Sequence, residues 1–300
     1  MKRVLSNKWS IAVFVLPTVL FFTYIVIIPI FKSFYYSLLS EIPAKVGDES
    51  QFVWFENYIK MFTPGRRNDF PGAVLNSLLY AVLSIFIQLP FSLLIALILS
   101  NGVKGESLYR NVYFIPVVIS SVVISLLWQR IYKDLIPALY EILNLPLPKN
   151  GFLANKDTKL MAVFLPSLWQ FVGYPMLLMY GALKSIPTDI IEAATVDGAS
   201  APRMALRIQI PMIKPMLKVC LSFSLIGSFK LFDTPWILLE RANKQLPALS
   251  MYVEMFSNHK YSYASAQAMF IVAECLVFTA LLNWVFREKK EKAGKELAGA

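Results

Sequence analysis

Residues 70–103 read FPGAVLNSLLYAVLSIFIQLPFSLLIALILSNGV and contain no charged side chain. The hydrocarbon core of a bilayer is about 30 Å thick, and a helix crosses it with roughly 20 apolar residues. This stretch is therefore long enough to cross a membrane as a single helix. Its composition predicts that lipid, as well as water, solvates the folded chain.

Five further apolar stretches extend this pattern over the chain. Three of them lack charge and lie between Lys8 and Lys32, Arg110 and Arg130, and Lys159 and Lys184. The other two are equally long but contain Lys230 and Asp233 in one case and Glu274 in the other. We therefore predict one membrane domain over residues 1–300, an all-α polytopic membrane helix bundle with six transmembrane helices at about 9–31, 73–99, 111–129, 160–183, 215–239 and 264–286.

The composition supports this interpretation and excludes others. Hydrophobic residues make up 57% of the chain and charged residues 16%, with a mean hydropathy of +0.56. A soluble domain needs more charge to cover its surface. The net charge of +10 does not indicate nucleic-acid binding, because the basic residues punctuate apolar runs and form no stripe. Cys220 and Cys275 lie inside apolar stretches and predict neither a disulfide nor a metal site.

The loops predict an orientation. With the N-terminus inside, basic residues are denser in the inner segments, which carry Lys2, Arg3, Lys8, Lys104, Arg110, Lys184, Arg203, Arg207, Lys214, Lys218 and the tail from Arg287 to Lys295. The positive-inside rule then predicts that both termini are cytoplasmic. The first apolar stretch is too long for a signal peptide, and no small-residue cleavage pattern follows it. We therefore predict a retained anchor.

The loop over residues 185–211 has a structure of its own. Pro187 and Thr188 favour a helix start, and Asp189, Glu192 and Thr195 recur every three residues as a polar stripe. Gly198 is predicted to end this helix, after which Ser200 can cap a second helix that has Pro202 in its first turn. The loop is thus predicted to be a helix–turn–helix at the cytoplasmic surface.

The spacing within this loop resembles a known family. The pattern Glu-Ala-Ala, three residues, Gly, nine residues, Ile-x-Leu-Pro is typical of the membrane subunits of binding-protein-dependent ATP-binding-cassette importers. The chain matches it at Glu192, Ala193, Ala194, Gly198, Ile208 and Pro211, with Ile210 in place of leucine. The resemblance implies that the short helix inserts into a groove of a separate ATPase subunit, where Glu192 would pair with a basic residue. An amphipathic helix resting on lipid headgroups is the alternative.

A weaker resemblance to sugar permeases of the maltose, lactose and glycerol-phosphate kind extends over nearly the whole chain. It rests on Asn57-Tyr58, Asn76-Ser77, Arg110 to Pro116, Trp128, Phe232-Asp233 and the run from Tyr261 to Ala266. The chain departs from these permeases at Glu240 to Pro247 and at Ile136 to Tyr140. Both departures fall in loops predicted to face outward, so they bear on the solute and the binding protein.

The resemblance also implies partners and a location. It implies a multi-pass permease of the bacterial plasma membrane that pairs with a second permease subunit and with ATP-binding-cassette ATPase subunits. An extracytoplasmic solute-binding protein would deliver the solute. The chain would carry no cofactor, since ATP and Mg would bind to the ATPase. It would not be an enzyme, and no nucleophile–base pair or phosphate-binding glycine loop stands in its aqueous loops.

Charged residues inside predicted spans are candidates for a translocation path. Lys230 and Asp233 are three residues apart, so on one helix they would share a face and neutralise each other. Either they line the path with Glu274, or they form a structural ion pair. Trp169, Gln170 and Tyr174 in the fourth span would offer a sugar a stacking face and hydrogen bonds. An alternative function is an ion-coupled secondary transporter that uses Lys230, Asp233 and Glu274 as a proton relay.

Overall fold

The computed structural model describes residues 8–41, 50–63, 69–144, 146, 151–155, 158–239 and 245–286. All regular elements of these residues are helical, apart from an isolated bridge between Leu39 and Phe52. The prediction of an all-α protein is confirmed for this part of the chain. Some segments used in the predictions lie outside the described residues. They are Lys2 and Arg3, the tail from Arg287 to Lys295, and residues 240–244.

The helices are short segments that join into longer runs. In chain order they are α1 (Lys8–Phe22), α2 (Ile28–Ser37), α3 (Glu56–Phe62), α4 (Phe70–Leu83), α5 (Leu89–Ser100), α6 (Glu106–Val118), α7 (Ser121–Arg130), α8 (Ile136–Ile142), α9 (Gly151–Ala154), α10 (Lys159–Phe171), α11 (Gly173–Lys184), α12 (Thr188–Val196), α13 (Ala201–Met204), α14 (Ile210–Met212), α15 (Lys214–Phe229), α16 (Asp233–Leu238), α17 (Pro247–Tyr252) and α18 (Tyr261–Val285).

Prolines explain four of the joints between these segments. Four π-helical segments, Thr23–Ile27, Ser84–Gln88, Ile131–Leu135 and Ala205–Gln209, each end two residues before a proline. A proline ring collides with the carbonyl four residues earlier, which in each case lies at the centre of the π-helical segment. The wider turn makes room for the ring while the helix continues.

Four runs are long and apolar enough to cross a membrane: Ala12–Ser37, Phe70–Ser100, Lys214–Leu238 and Tyr261–Val285. Two further regions qualify only as bent pairs of helices, α6 with Ser121–Ile142 at 94°, and α10 with α11 at 40°. The described residues therefore contain four candidate spans, or six when each bent pair counts as one. The predicted count of six agrees with the upper of these two values.

The predicted third span over residues 111–129 is in fact two helices with a sharp bend between them. Pro116 lies near the end of α6, and the backbone becomes extended at Ile119. Ser120 then caps α7, because its hydroxyl accepts a hydrogen bond from the Val122 N–H at 3.3 Å. Hydropathy alone does not reveal this bend, since both halves are apolar.

Two apolar clusters lie at opposite ends of the run formed by α4 and α5. At the Ser100 end, Leu99 packs with Leu183, Ile186 and Ile213 in a buried cluster that joins α5, α11 and the start of α15. At the Phe70 end, Met61, Phe70 and Ala266 bury one another. The loop over residues 185–211 therefore lies at the Ser100 end of the bundle.

Asn57 fixes the segment that follows the first span at the Phe70 end. Its side-chain amide donates hydrogen bonds to the carbonyls of Ser37 and Leu39 at 2.9 and 2.8 Å. Ser37 is the last residue of α2 and Leu39 lies two residues beyond it, where backbone acceptors lack partners within the helix. The Asn57-Tyr58 pair, part of the sequence resemblance, therefore ties α3 to the end of the first span.

Candidate functional site

The loop over residues 185–211 begins with a short, well-terminated helix. In α12 the last turn is followed by Gly198 at φ +73°, a left-handed conformation that favours glycine. The Gly198 N–H donates to the Thr195 carbonyl and the Ala199 N–H donates to the Ala194 carbonyl, both at 3.0 Å. This pair of bonds is a Schellman termination. It turns the chain sharply between α12 and α13.

One face of α12 is held against the bundle and the other is open. Ala194 is 8% exposed, and Ile191 packs against the cluster that contains Leu183 and Ile213. On the open side Glu192 is exposed, and Val196 is 86% exposed. No ion pair engages Glu192 within the described residues. The helix thus presents a free carboxylate from a fixed position.

The second half of the loop leads into the next long run. Ser200 precedes α13 and Pro202 lies in its first turn, but the Ser200 side chain makes no capping hydrogen bond, which corrects one expectation. Ile208 lies half-buried in a π-helical segment, three residues before the exposed Pro211. The family pattern therefore extends over α12, α13, the π-helical segment and the start of α14.

The run Lys214–Leu238 is broken near its far end. Its first helix, α15, ends at Phe229, and α16 starts at Asp233. Lys230 and Asp233 therefore do not lie one turn apart on a continuous helix, and no ion pair joins them among the described residues. The expected mutual neutralisation is wrong for this reason. Non-helical backbone at membrane depth is tolerated where it lines a cavity or is buried in protein.

A cavity of about 430 Å³ lies beside this break. Three predicted residues line it: Tyr174, Lys230 and Asp233. Other polar residues of the wall were not predicted from the sequence, and they include Tyr80, Ser84, Gln88, Ser121, Ser228 and Thr234. The wall combines hydroxyl, amide and charged groups with the aromatic faces of Phe171 and Phe223. A cavity of this size, lined by both polar and aromatic side chains, suits a small polar solute with apolar faces.

The other three predicted path residues do not line this cavity; they are Trp169, Gln170 and Glu274. Trp169 makes an edge-on contact with Trp128, with ring centroids 6.3 Å apart. Gln170 is 1% exposed, and its amide donates to the Ile119 carbonyl at 3.1 Å and to the Ser121 hydroxyl at 3.2 Å. Gln170 therefore holds the bend between α6 and α7.

Glu274 lies on α18 and is only 7% exposed. Neither of its carboxylate oxygens has a hydrogen-bond partner among the described residues. Glu274 is not among the residues that line the cavity shared by Lys230 and Asp233.

A polar cluster lies at the Phe70 end of the bundle, around the start of α18. Glu254 is 5% exposed, accepts a hydrogen bond from Asn258 at 2.9 Å and lies 3.8 Å from the Lys260 ammonium. Burial raises the pKa of the neighbouring Glu41, against the opposing effects of the Ser262 and Tyr263 N–H groups and of Lys260. This surface is polar and partly desolvated. Neither here nor in the rest of the described ranges is a group of three or more His, Cys, Asp or Glu arranged to hold a metal ion.

Comparison with known proteins agrees with this geometry. The family described as "Binding-protein-dependent transport system inner membrane component" matches residues 72–290. The probable ABC transporter permease protein YurN of Bacillus subtilis (strain 168) is 31% identical over 296 residues, which cover 96% of this chain and 99% of that protein. The arabinooligosaccharides transport system permease protein AraP of the same organism is 25% identical, with 92% of this chain and 88% of that protein covered.

A solved structure shares the fold. It is the bacterial alginate ABC transporter in complex with an alginate pentasaccharide-bound periplasmic protein, and one of its chains superposes with a TM-score of 0.80. The match covers 95% of this chain and 96% of that chain at 20% sequence identity. The described residues therefore share the fold of that chain.

Proposed function

Because the chain belongs to the family of binding-protein-dependent transport system inner membrane components, we propose that it is the membrane-spanning permease subunit of an ATP-binding-cassette importer for a sugar or sugar-like solute. The resemblance seen in the sequence is confirmed at the level of the family. The names of relatives that act on arabinooligosaccharides and on multiple sugars support a carbohydrate as the solute class.

The drive would come from an ATPase subunit that docks on α12. The observation that carries this proposal is the exposed Glu192 on a helix whose opposite side is buried and whose end is closed by Gly198. A fixed helix can transmit a displacement to the bundle, whereas a helix lying freely on lipid headgroups cannot. Docking is thus favoured over the headgroup alternative.

The solute would pass beside the break between α15 and α16. The cavity there combines aromatic faces with hydrogen-bonding groups, which is the combination that binds a sugar ring. Closure of the ATPase would open this cavity to alternate sides, and a second permease subunit would supply the facing wall. A solute-binding protein would dock at the Phe70 end, opposite the ATPase, and both termini would be cytoplasmic.

Reconstitution tests the proposal. The chain, assembled with its second permease and ATPase subunits in proteoliposomes, is expected to accumulate a carbohydrate only with ATP and the loaded binding protein. Uptake by the purified chain alone, driven by a proton gradient without ATP, would establish the ion-coupled alternative and overturn the proposal.

Tyr174→Phe is expected to lower the apparent affinity for the solute about three- to tenfold, because one hydrogen bond is worth about 1 kcal/mol. The matched control is Tyr24→Phe, since Tyr24 is 73% exposed on the first span and does not line the cavity. Concentration-dependent uptake by the reconstituted complex measures both variants. Equal values for the two variants would remove Tyr174 from the path.

A further inference from the structure

A polar cluster that was not predicted from the sequence connects the C-terminal end of α11 to the start of α6. The Tyr180 hydroxyl donates a hydrogen bond to the Glu106 carboxylate. The Lys184 ammonium lies 3.3 Å from the other oxygen of the same carboxylate. Glu106 is the first residue of α6, where the helix dipole favours a negative charge.

Two cations complete the cluster. The Arg110 guanidinium carbon lies 5.6 Å from the centroid of the Tyr180 ring, and the Lys184 ammonium lies 5.7 Å from it. Cations at this distance are attracted to an aromatic face. We refer to Glu106, Arg110, Tyr180 and Lys184 as the α6–α11 clamp. Two of its members belong to each helix, so it fixes one helix relative to the other.

The clamp stands next to the proposed ATPase-docking helix. Lys184 is the last residue of α11, and α12 starts at Thr188 after a linker of three residues. Within that linker Ile186 is buried in the cluster that also holds Leu183. A displacement of α12 is therefore expected to move the base of α11 with it.

The other end of α6 leads to the cavity. Beyond Val118 the chain bends into α7, and Ser121 of α7 lines the cavity beside the fifth-span break. Gln170 of α10 holds the bend by its hydrogen bonds to Ile119 and Ser121. A continuous set of contacts thus connects α12, α11, the clamp, α6 and the cavity wall.

We propose that Glu106 and Tyr180 are positioning residues that transmit the movement of α12 through α6 to the cavity. This inference rests on the proposed function, since it assigns a role within ATP-driven transport. Stability is not the role we assign, because the pair is partly exposed and surface ion pairs contribute little to folding. The clamp instead makes two helices move as one body.

The test uses the assembled complex in proteoliposomes and measures solute uptake and ATP hydrolysis together. Tyr180→Phe removes only the hydroxyl and keeps the ring near both cations, and Glu106→Gln removes only the charge. Each is expected to lower the solute carried per ATP hydrolysed about three- to tenfold, while assembly and ATP hydrolysis stay within about twofold. The double variant is expected to lose little more, because both residues act in one contact.

Rescue and control variants separate positioning from a general loss of structure. The exchange Glu106→Lys with Lys184→Glu is expected to restore part of the coupling that Glu106→Lys alone loses. The control is Lys104→Gln, since Lys104 is exposed in the turn before α6. Unchanged uptake per ATP in both single variants would overturn the clamp and leave the importer proposal standing. A wild-type complex without ATP-driven uptake would overturn the importer proposal instead. Failure of Tyr180→Phe to assemble would also overturn the coupling role.

Discussion

Replacing Glu192 by lysine is expected to lower ATP-driven uptake at least about thirtyfold. Glu192 is exposed and has no ion-pair partner in the described part of the chain, so its replacement costs the isolated subunit little. In the complex, the reversed charge would face the basic residue that the family resemblance predicts on the ATPase. Disrupting a desolvated charge pair of this kind costs about 2–5 kcal/mol.

Four quantities test this expectation. The amount of subunit in the membrane should stay unchanged. The amount of ATPase subunit that copurifies, the solute-stimulated ATP hydrolysis and the uptake should fall together. Glu141→Lys makes the same charge change at an exposed position of α8 and serves as the control for the amount of subunit and for copurification of the ATPase. Normal uptake with Glu192→Lys would remove α12 from the coupling role.

The membrane architecture was largely predictable because long uncharged stretches leave a chain few alternatives. Residues 70–103 predict the α4–α5 run to within a few residues. The stretch over residues 264–286 belongs to one long helix even though it contains Glu274. Helix bends were harder to predict. Pro90 lies in a run that continues, whereas Pro116 lies close to a 94° bend. The difference comes from Ser120 and from the tertiary hydrogen bond of Gln170, neither of which hydropathy detects.

The candidate site was predictable where local chemistry determines it. Gly198 has the left-handed backbone that its position after a short helix indicates. The break at Lys230 was not predicted, because the apolar residues on both sides favour a continuous helix. Contacts between distant residues were also missed. Glu106 and Tyr180 are 74 residues apart, and nothing in the sequence marks them as partners. Gln88 and Tyr80 likewise resemble ordinary polar residues in a span until the fold brings them to one cavity.

Gly173→Ala is expected to destabilise the subunit by about 3 kcal/mol, a large effect for one methyl group. Gly173 opens α11, and a Cβ atom there would lie 2.1 Å from the Tyr113 carbonyl oxygen and 3.1 Å from the Phe114 Cα. These are backbone atoms of α6, so no side-chain rotation relieves the collision. The two helices would have to separate. The expected readout is a lower temperature at which detergent-solubilised subunit loses its monodisperse state.

Gly181 provides a control within the same helix. A Cβ atom at Gly181 would meet no atom within 4 Å, so Gly181→Ala adds the same methyl group to the same helix without a collision. It is expected to be neutral or to stabilise α11 by up to about 1 kcal/mol, because alanine is the better helix former. Gly173→Ala should also weaken the α6–α11 clamp, because it pushes α6 away from α11. The complex that still assembles with this variant should therefore carry less solute per ATP hydrolysed. Equal stability of the two variants would show that α6 does not pack against Gly173 as the structure places it.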